Sequence, residues 1–201
     1  MRKGVAAWSC AVSATLLLSG ISAAPARADE VWVGLYGHDA IAPDRRERGE
    51  DLQVGYRTAR LPSLGFLGHP SIDALVMFNS QTSTHFAAAG LDWRIGLGHG
   101  FYIRPGFGLA YTTGKAVLPP ANGPGLTPAE IASRVRVNGR RIDFGSKVLF
   151  KPELAVGYSI SPRWAVEASY VHFSNGQVFH KGKNQGLDDL GARLVWRFGA
   201  G

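Results

Sequence analysis

Phe101-Tyr102-Ile103-Arg104-Pro105-Gly106-Phe107-Gly108-Leu109-Ala110-Tyr111-Thr112-Thr113 decides the fold, because it alternates without a slip. Residues two apart share a face of a β-strand. Phe101, Ile103, Pro105, Phe107, Leu109 and Tyr111 therefore line one face, and Tyr102, Arg104, Gly106, Gly108, Ala110 and Thr112 the other. Residues 147–160 repeat the pattern. Val148, Phe150, Pro152, Leu154, Val156, Tyr158 and Ile160 oppose Leu149, Lys151, Glu153, Ala155, Gly157 and Ser159. In both stretches one side is apolar and ends in aromatics, while the other is small, polar or charged. That asymmetry is the signature of a lipid face backed by a polar lumen.

Six further segments extend the reading: 30–38, 51–59, 72–79, 84–97, 163–174 and 187–198. The total is eight strands of about ten residues, the span of a small transmembrane barrel. The expected fold is all-β, an eight-stranded antiparallel transmembrane β-barrel of the outer membrane. An interior that narrow is filled by side chains. Arg104, Glu153, Glu167, Arg193 and Arg197 fall on lumen positions and are expected to pair with one another. A soluble β-sandwich would also alternate, but it leaves the aromatic-ended apolar faces of consecutive strands unexplained. Short turns at Gly98-His99-Gly100 and Ser161-Pro162 should face the periplasm, and the long connections, 115–143 above all, should face outward. The connection 61–71 is long for a periplasmic turn.

The start of the chain reads as an export leader. Arg2 and Lys3 precede a mostly apolar stretch from Val5 to Leu18, and Ala26-Arg27-Ala28 is an A-x-A cleavage site. Residues 1–28 are thus expected to be a signal peptide and 29–201 the barrel domain. The one cysteine, Cys10, lies in the leader, so the rest offers no disulfide framework, thiolate metal site or cysteine nucleophile. The net charge is +7; Arg2, Lys3 and Arg27 account for three of the basic residues, and the leader holds no acidic one. The remaining mild basic excess suits an anionic membrane surface. Nucleic acid is not an expected partner, since no basic run is interleaved with stacking aromatics.

Near the end of this pattern stands Tyr170-Val171-His172-Phe173-Ser174-Asn175, then Asn184-Gln185-Gly186-Leu187-Asp188. Trp164, Val166, Ala168, Tyr170, His172 and Ser174 share the lipid-facing side of one strand. Asp188 shares that side of the next strand with Leu190, Ala192, Leu194, Trp196 and Phe198, whereas Asp189 joins Gly191, Arg193 and Arg197 on the lumen side. His172, Ser174 and Asp188 should meet at the outer rim, facing lipid. Polar groups there are costly and call for a reason. Serine needs an adjacent base to act as a nucleophile. His172 can take that proton, and Asp188 can fix the imidazole tautomer. Asn175, Asn184 and the backbone around Gly186 are candidate donors to an oxyanion, Asn184 being favoured.

These residues resemble the lipid A 3-O-deacylase (PagL-type) family of outer-membrane acyloxyacyl hydrolases. The family pattern is His-x-Ser-Asn, a short loop, Asn-x-Gly and an acidic residue two positions on. Gly90-Leu91-Asp92-Trp93, the glycine-rich strand around Gly106-Phe107-Gly108, and Gly145-Ser146-Lys147-Val148-Leu149-Phe150 look like its framework. The resemblance implies hydrolysis of the 3-position ester of lipid A in lipopolysaccharide, with release of a 3-hydroxy fatty acid. It also implies no metal or organic cofactor, and a triad of Ser174, His172 and Asp188. The family's acidic residue is most familiarly Glu, so Asp188 requires a closer approach of the two strands.

Gly-x-Ser-x-Gly and His-Glu-x-x-His motifs are absent from the sequence, and Gly108 to Lys115 has the wrong spacing for a phosphate loop. His38, His69, His85, His99 and His180 show no ligand spacing along the chain. A non-catalytic small barrel serving adhesion or envelope integrity, and a lipid A acyltransferase, remain alternative readings. The oligomeric state is left open between monomer and homodimer.

Overall fold

The computed structural model describes residues 28–41, 45–81 and 84–199. Apart from Ala28, the expected leader lies outside them. The strands are β1 (Asp29–Gly37), β2 (Glu50–Arg57), β3 (Ser71–Asn79), β4 (Phe86–Asp92), β5 (Ile95–Gly98), β6 (Phe101–Thr112), β7 (Val148–Ser159), β8 (Trp164–Phe173) and β9 (Leu187–Phe198); a helix, α1 (Pro128–Asn138), stands between β6 and β7. Neighbours pair antiparallel in the order β4-β3-β2-β1-β9-β8-β7-β6-β5, and β4 also pairs with β6, which closes the sheet. The fold is a closed eight-stranded antiparallel barrel of the outer-membrane kind.

The expected fourth strand, 84–97, appears as β4 and β5 in one continuous register on β6: Asp92 pairs with Gly106 and Ile95 with Ile103. The gap at Trp93-Arg94 lies opposite Pro105. Proline has no N–H to give to a ladder. Only the bond from Trp93 N–H to the Pro105 carbonyl remains there, at 3.0 Å.

Parity holds around the barrel. In β6, Tyr102, Arg104, Ala110 and Thr112 are buried, while Phe101, Phe107, Leu109 and Tyr111 are exposed to the membrane side. The lumen is ionic towards the periplasm. Arg57, Arg104, Lys151, Arg193 and Arg197 interleave with Glu30, Asp73, Asp92, Glu153 and Glu167, five cations against five anions among the described residues. Arg104 alone touches Glu30 at 3.0 Å, Asp92 at 2.7 Å and Glu167 at 3.3 Å. Buried charges persist only when paired and hydrogen-bonded this fully. Gly55 leaves room for the Trp32 indole, since a Cβ there would stand 2.1 Å from the ring.

Towards the outside the filling turns apolar. Phe86, Phe144, Ile142, Leu149, Phe173 and Leu187 form a plug, with Phe86 stacked on Phe173 at 4.0 Å. On the other end, the outward face carries an aromatic girdle: Trp164–Trp196 at 6.4 Å, Trp196–Phe198 at 5.1 Å and Phe101–Tyr158 at 4.8 Å. Such belts mark a membrane interface.

The long periplasmic connection is folded rather than slack. Pro62–Leu67 forms a 3-10 helix capped by Gly68 in the left-handed region (φ 82°). The indole N–H of Trp93 donates to the Leu67 carbonyl at 2.7 Å, leaning the turn on the barrel wall. The helix α1 inside 115–143 was not anticipated, although its signal is plain in the sequence. Thr127 Oγ1 accepts from Glu130 N–H, Glu130 Oε2 accepts from Thr127 N–H, and Pro128 opens the first turn. This is a capping box with its N-terminal proline.

Candidate active site

The β8–β9 ladder sets the geometry. Its register places His172 directly opposite Asp188, with Tyr170 opposite Leu190 and Phe173 opposite Leu187. Phe173 points inward and is fully buried, so His172 and Ser174 point outward. His172 Nδ1 donates to Asp188 Oδ1 at 2.7 Å, both side chains being partly exposed at the outer rim. The shorter carboxylate reaches the imidazole because the two residues are cross-strand partners, the closest neighbours a sheet provides. With Nδ1 as donor, Nε2 is the nitrogen left to accept a proton.

A further member was not singled out from the sequence. The Tyr170 hydroxyl donates to the same Asp188 Oδ1 at 2.5 Å. Its signal was the shared parity of 170 with 172. Asp188 is thereby held from two sides.

Gly186 also makes room for the base. A Cβ at this position would lie 2.5 Å from His172 Cε1 and 3.1 Å from Nε2. The bare backbone lets the imidazole lie flat against it. Close packing against the imidazole is thus one role of this glycine.

Ser174 sits just past β8, partly exposed, in an isolated bridge with Phe150: Phe150 N–H donates to the Ser174 carbonyl at 2.7 Å. Among the described residues its hydroxyl makes no hydrogen bond to His172. Nucleophile–base bonds commonly tighten only when substrate binds.

The expectation that Asn175 supplies an oxyanion donor is corrected. Its side chain is fully buried. Nδ2 donates to the Phe144 carbonyl at 2.6 Å and, more weakly, to Lys183 O at 3.4 Å. Oδ1 accepts from Gln177 N–H at 2.6 Å, and the Asn175 N–H donates to Asn184 Oδ1 at 2.9 Å. Following an outward Ser174, residue 175 must turn inward, where it staples the 175–184 loop to the plug. Asn184 keeps one distinct option. Its Oδ1 orients the loop, and its Nδ2 has no acceptor among the described residues.

An eight-stranded outer-membrane barrel with a hydrogen-bonded histidine–aspartate pair on its lipid-facing rim is the class of protein defined here. A family model described as lipid A 3-O-deacylase (PagL) matches residues 76–197, and the chain belongs to that family. No curated protein matches it. Among solved structures, the outer membrane enzyme PagL is similar at 14% identity and TM-score 0.53, covering 83% of this chain and 97% of that one. Neisserial surface protein A is similar at 10% identity and TM-score 0.51, covering 85% and 96%, and a de novo designed transmembrane β-barrel at 12% and 0.51, covering 85% and 95%. At such identities these structures speak for the fold. The family match is what adds chemistry.

Proposed function

We propose that this protein is a serine esterase that hydrolyses the 3-O-acyl ester of lipid A in the outer leaflet. The 2.7 Å bond between His172 and Asp188 on the lipid-facing rim carries the reading. A lipid-facing rim has no structural need for a buttressed imidazole, whereas an enzyme acting on a neighbouring lipid needs its site there.

His172 Nε2 removes the Ser174 hydroxyl proton as Oγ attacks the ester carbonyl, and Asp188 stabilises the imidazolium that forms. The tetrahedral oxyanion is met by Asn184 Nδ2. Collapse breaks the bond to the sugar 3-oxygen, and His172 returns the proton to that leaving alcohol. Water, activated by the same imidazole, then frees Ser174 and releases a 3-hydroxy fatty acid. The groups of this chain suffice for each proton transfer. Release of 3-hydroxy fatty acid from lipid A in detergent micelles, followed for wild type and Ser174→Ala, tests the assignment. The variant should be slower by about six orders of magnitude; equal rates would remove the serine from the mechanism.

A further inference from the structure

Under the rim, side chains from three elements converge: His38 just after β1, Asp51 in β2 and, far away in sequence, Asp189 in β9. All are fully buried, and one ligand-type atom from each lies within 4.8 Å of the others. His38 Nδ1 is 2.7 Å from Asp51 Oδ2 and 3.9 Å from Asp189 Oδ1. Its Nε2 is 3.3 Å from Glu47 Oε2, and Glu47 is itself held by the Thr84 hydroxyl at 2.6 Å and the Ile142 N–H at 3.2 Å. Asp51 Oδ1 accepts from Asn79 Nδ2 at 2.9 Å, and Asp189 Oδ1 from Asp39 N–H at 3.0 Å.

One atom is unaccounted for. Among the described residues, Asp189 Oδ2 is buried and has no hydrogen-bond partner. The local charge is also one-sided. Among the described residues one imidazole stands among Glu47, Asp51 and Asp189, and Arg141 approaches Glu47 at 3.8 Å from the partly exposed side. The lumen network below balances cation against anion. A buried carboxylate oxygen without a partner calls for a compensating positive charge, either a proton shared with a neighbouring carboxyl or a bound cation.

We propose that this cluster binds one divalent transition-metal ion of the zinc class through His38 Nδ1 and one oxygen each of Asp51 and Asp189. The mixed nitrogen and oxygen donors fit zinc, nickel or copper rather than magnesium or calcium, which take oxygen alone. Ligand bonds of about 2.0–2.2 Å at tetrahedral angles hold donor atoms about 3.3–3.6 Å apart. The observed 2.7 and 3.9 Å straddle that spacing, so sub-ångström shifts bring each carboxylate to its distance from His38 Nδ1. Glu47 stands where metal-bound histidines find their orienting carboxylate, on the other ring nitrogen. On binding, any proton on Nδ1 leaves to solvent and the ion takes its place. The ion ties β1, β2 and β9 together beside Asp188, whose carbonyl already accepts from Ala40 N–H at 2.7 Å. Its role is to fix the rim, with no part in the ester chemistry.

The test uses untagged protein folded in detergent and stripped with EDTA. Titration with Zn2+ should load one equivalent per chain by elemental mass spectrometry and raise the unfolding temperature. Co2+ in its place should give the visible absorption of a tetrahedral site. Asp189→Asn, checked as folded by its heat-dependent gel migration, should lose the bound equivalent; His38→Gln serves the same purpose if that variant does not fold. Glu47→Gln should bind about tenfold more weakly or worse. Absence of a stoichiometric ion, undiminished binding by Asp189→Asn, or preference for Ca2+ over Zn2+ would overturn the proposal.

Discussion

Gly186→Ala isolates the geometry of the base from its chemistry. The added Cβ would stand 2.5 Å from His172 Cε1, whereas ordinary contact begins near 3.4 Å. The ring must therefore retreat by about 1 Å, and misplacement on that scale costs about 10²-fold in rate. The imidazole is tied to Asp188 at 2.7 Å, so retreat also stretches that bond. Together these predict a kcat about 100-fold below wild type, or about 2.7 kcal/mol in activation free energy. Barrel stability should be nearly unchanged, because Gly186 is partly exposed, lies outside β9 and has no positive φ to lose. The assay is the initial rate of 3-hydroxy fatty acid release at saturating lipid A, alongside denaturant unfolding of the same preparations. A variant as active as wild type would show that the imidazole does not need its place against residue 186, and the argument from close packing would fail.

Three other outcomes follow from the same geometry. Tyr170→Phe removes one of the two bonds on Asp188 Oδ1, and kcat should fall about tenfold, or ~1.4 kcal/mol, with KM unchanged; an altered KM would place the hydroxyl on the substrate instead. Asn184→Ala should lower kcat by about 10²- to 10³-fold if its amide meets the oxyanion, and a drop matched by loss of folded protein would assign it to the loop alone. Glu167→Gln keeps a hydrogen-bonding shape opposite Tyr102, Arg104 and Arg193 but strands the charge of the two arginines. It should cost about 3–5 kcal/mol in denaturant unfolding, and a negligible loss would mean that the lumen network is not tightly coupled.

Much of the architecture could be read from alternation, because a barrel strand reports its two environments residue by residue. The same parity separated Asp188 from Asp189 and set Ser174 outward. It could also have placed Asn175 inward; residue type drew attention to its amide, while position had already turned it away from lipid. What periodicity cannot supply is register, the pairing of one strand against the next. The 2.7 Å approach of Asp188 and the added bond from Tyr170 depend on that pairing. Pro105 marks the break between β4 and β5, yet the break is felt only on the partner strand. The meeting of Asp189 with His38 and Asp51 is non-local, since β9 comes beside β1 only when the barrel closes.

In the proposed reaction the rim site removes an acyl chain from a lipid beside the barrel. Mass spectra of lipid A taken before and after exposure to the purified protein test this most directly. Wild type should shift the lipid down by one 3-hydroxyacyl group, lost from the 3-position, and Ser174→Ala should leave it unchanged. A spectrum unaltered by wild type, or one shifted upward by an added acyl chain, would contradict it.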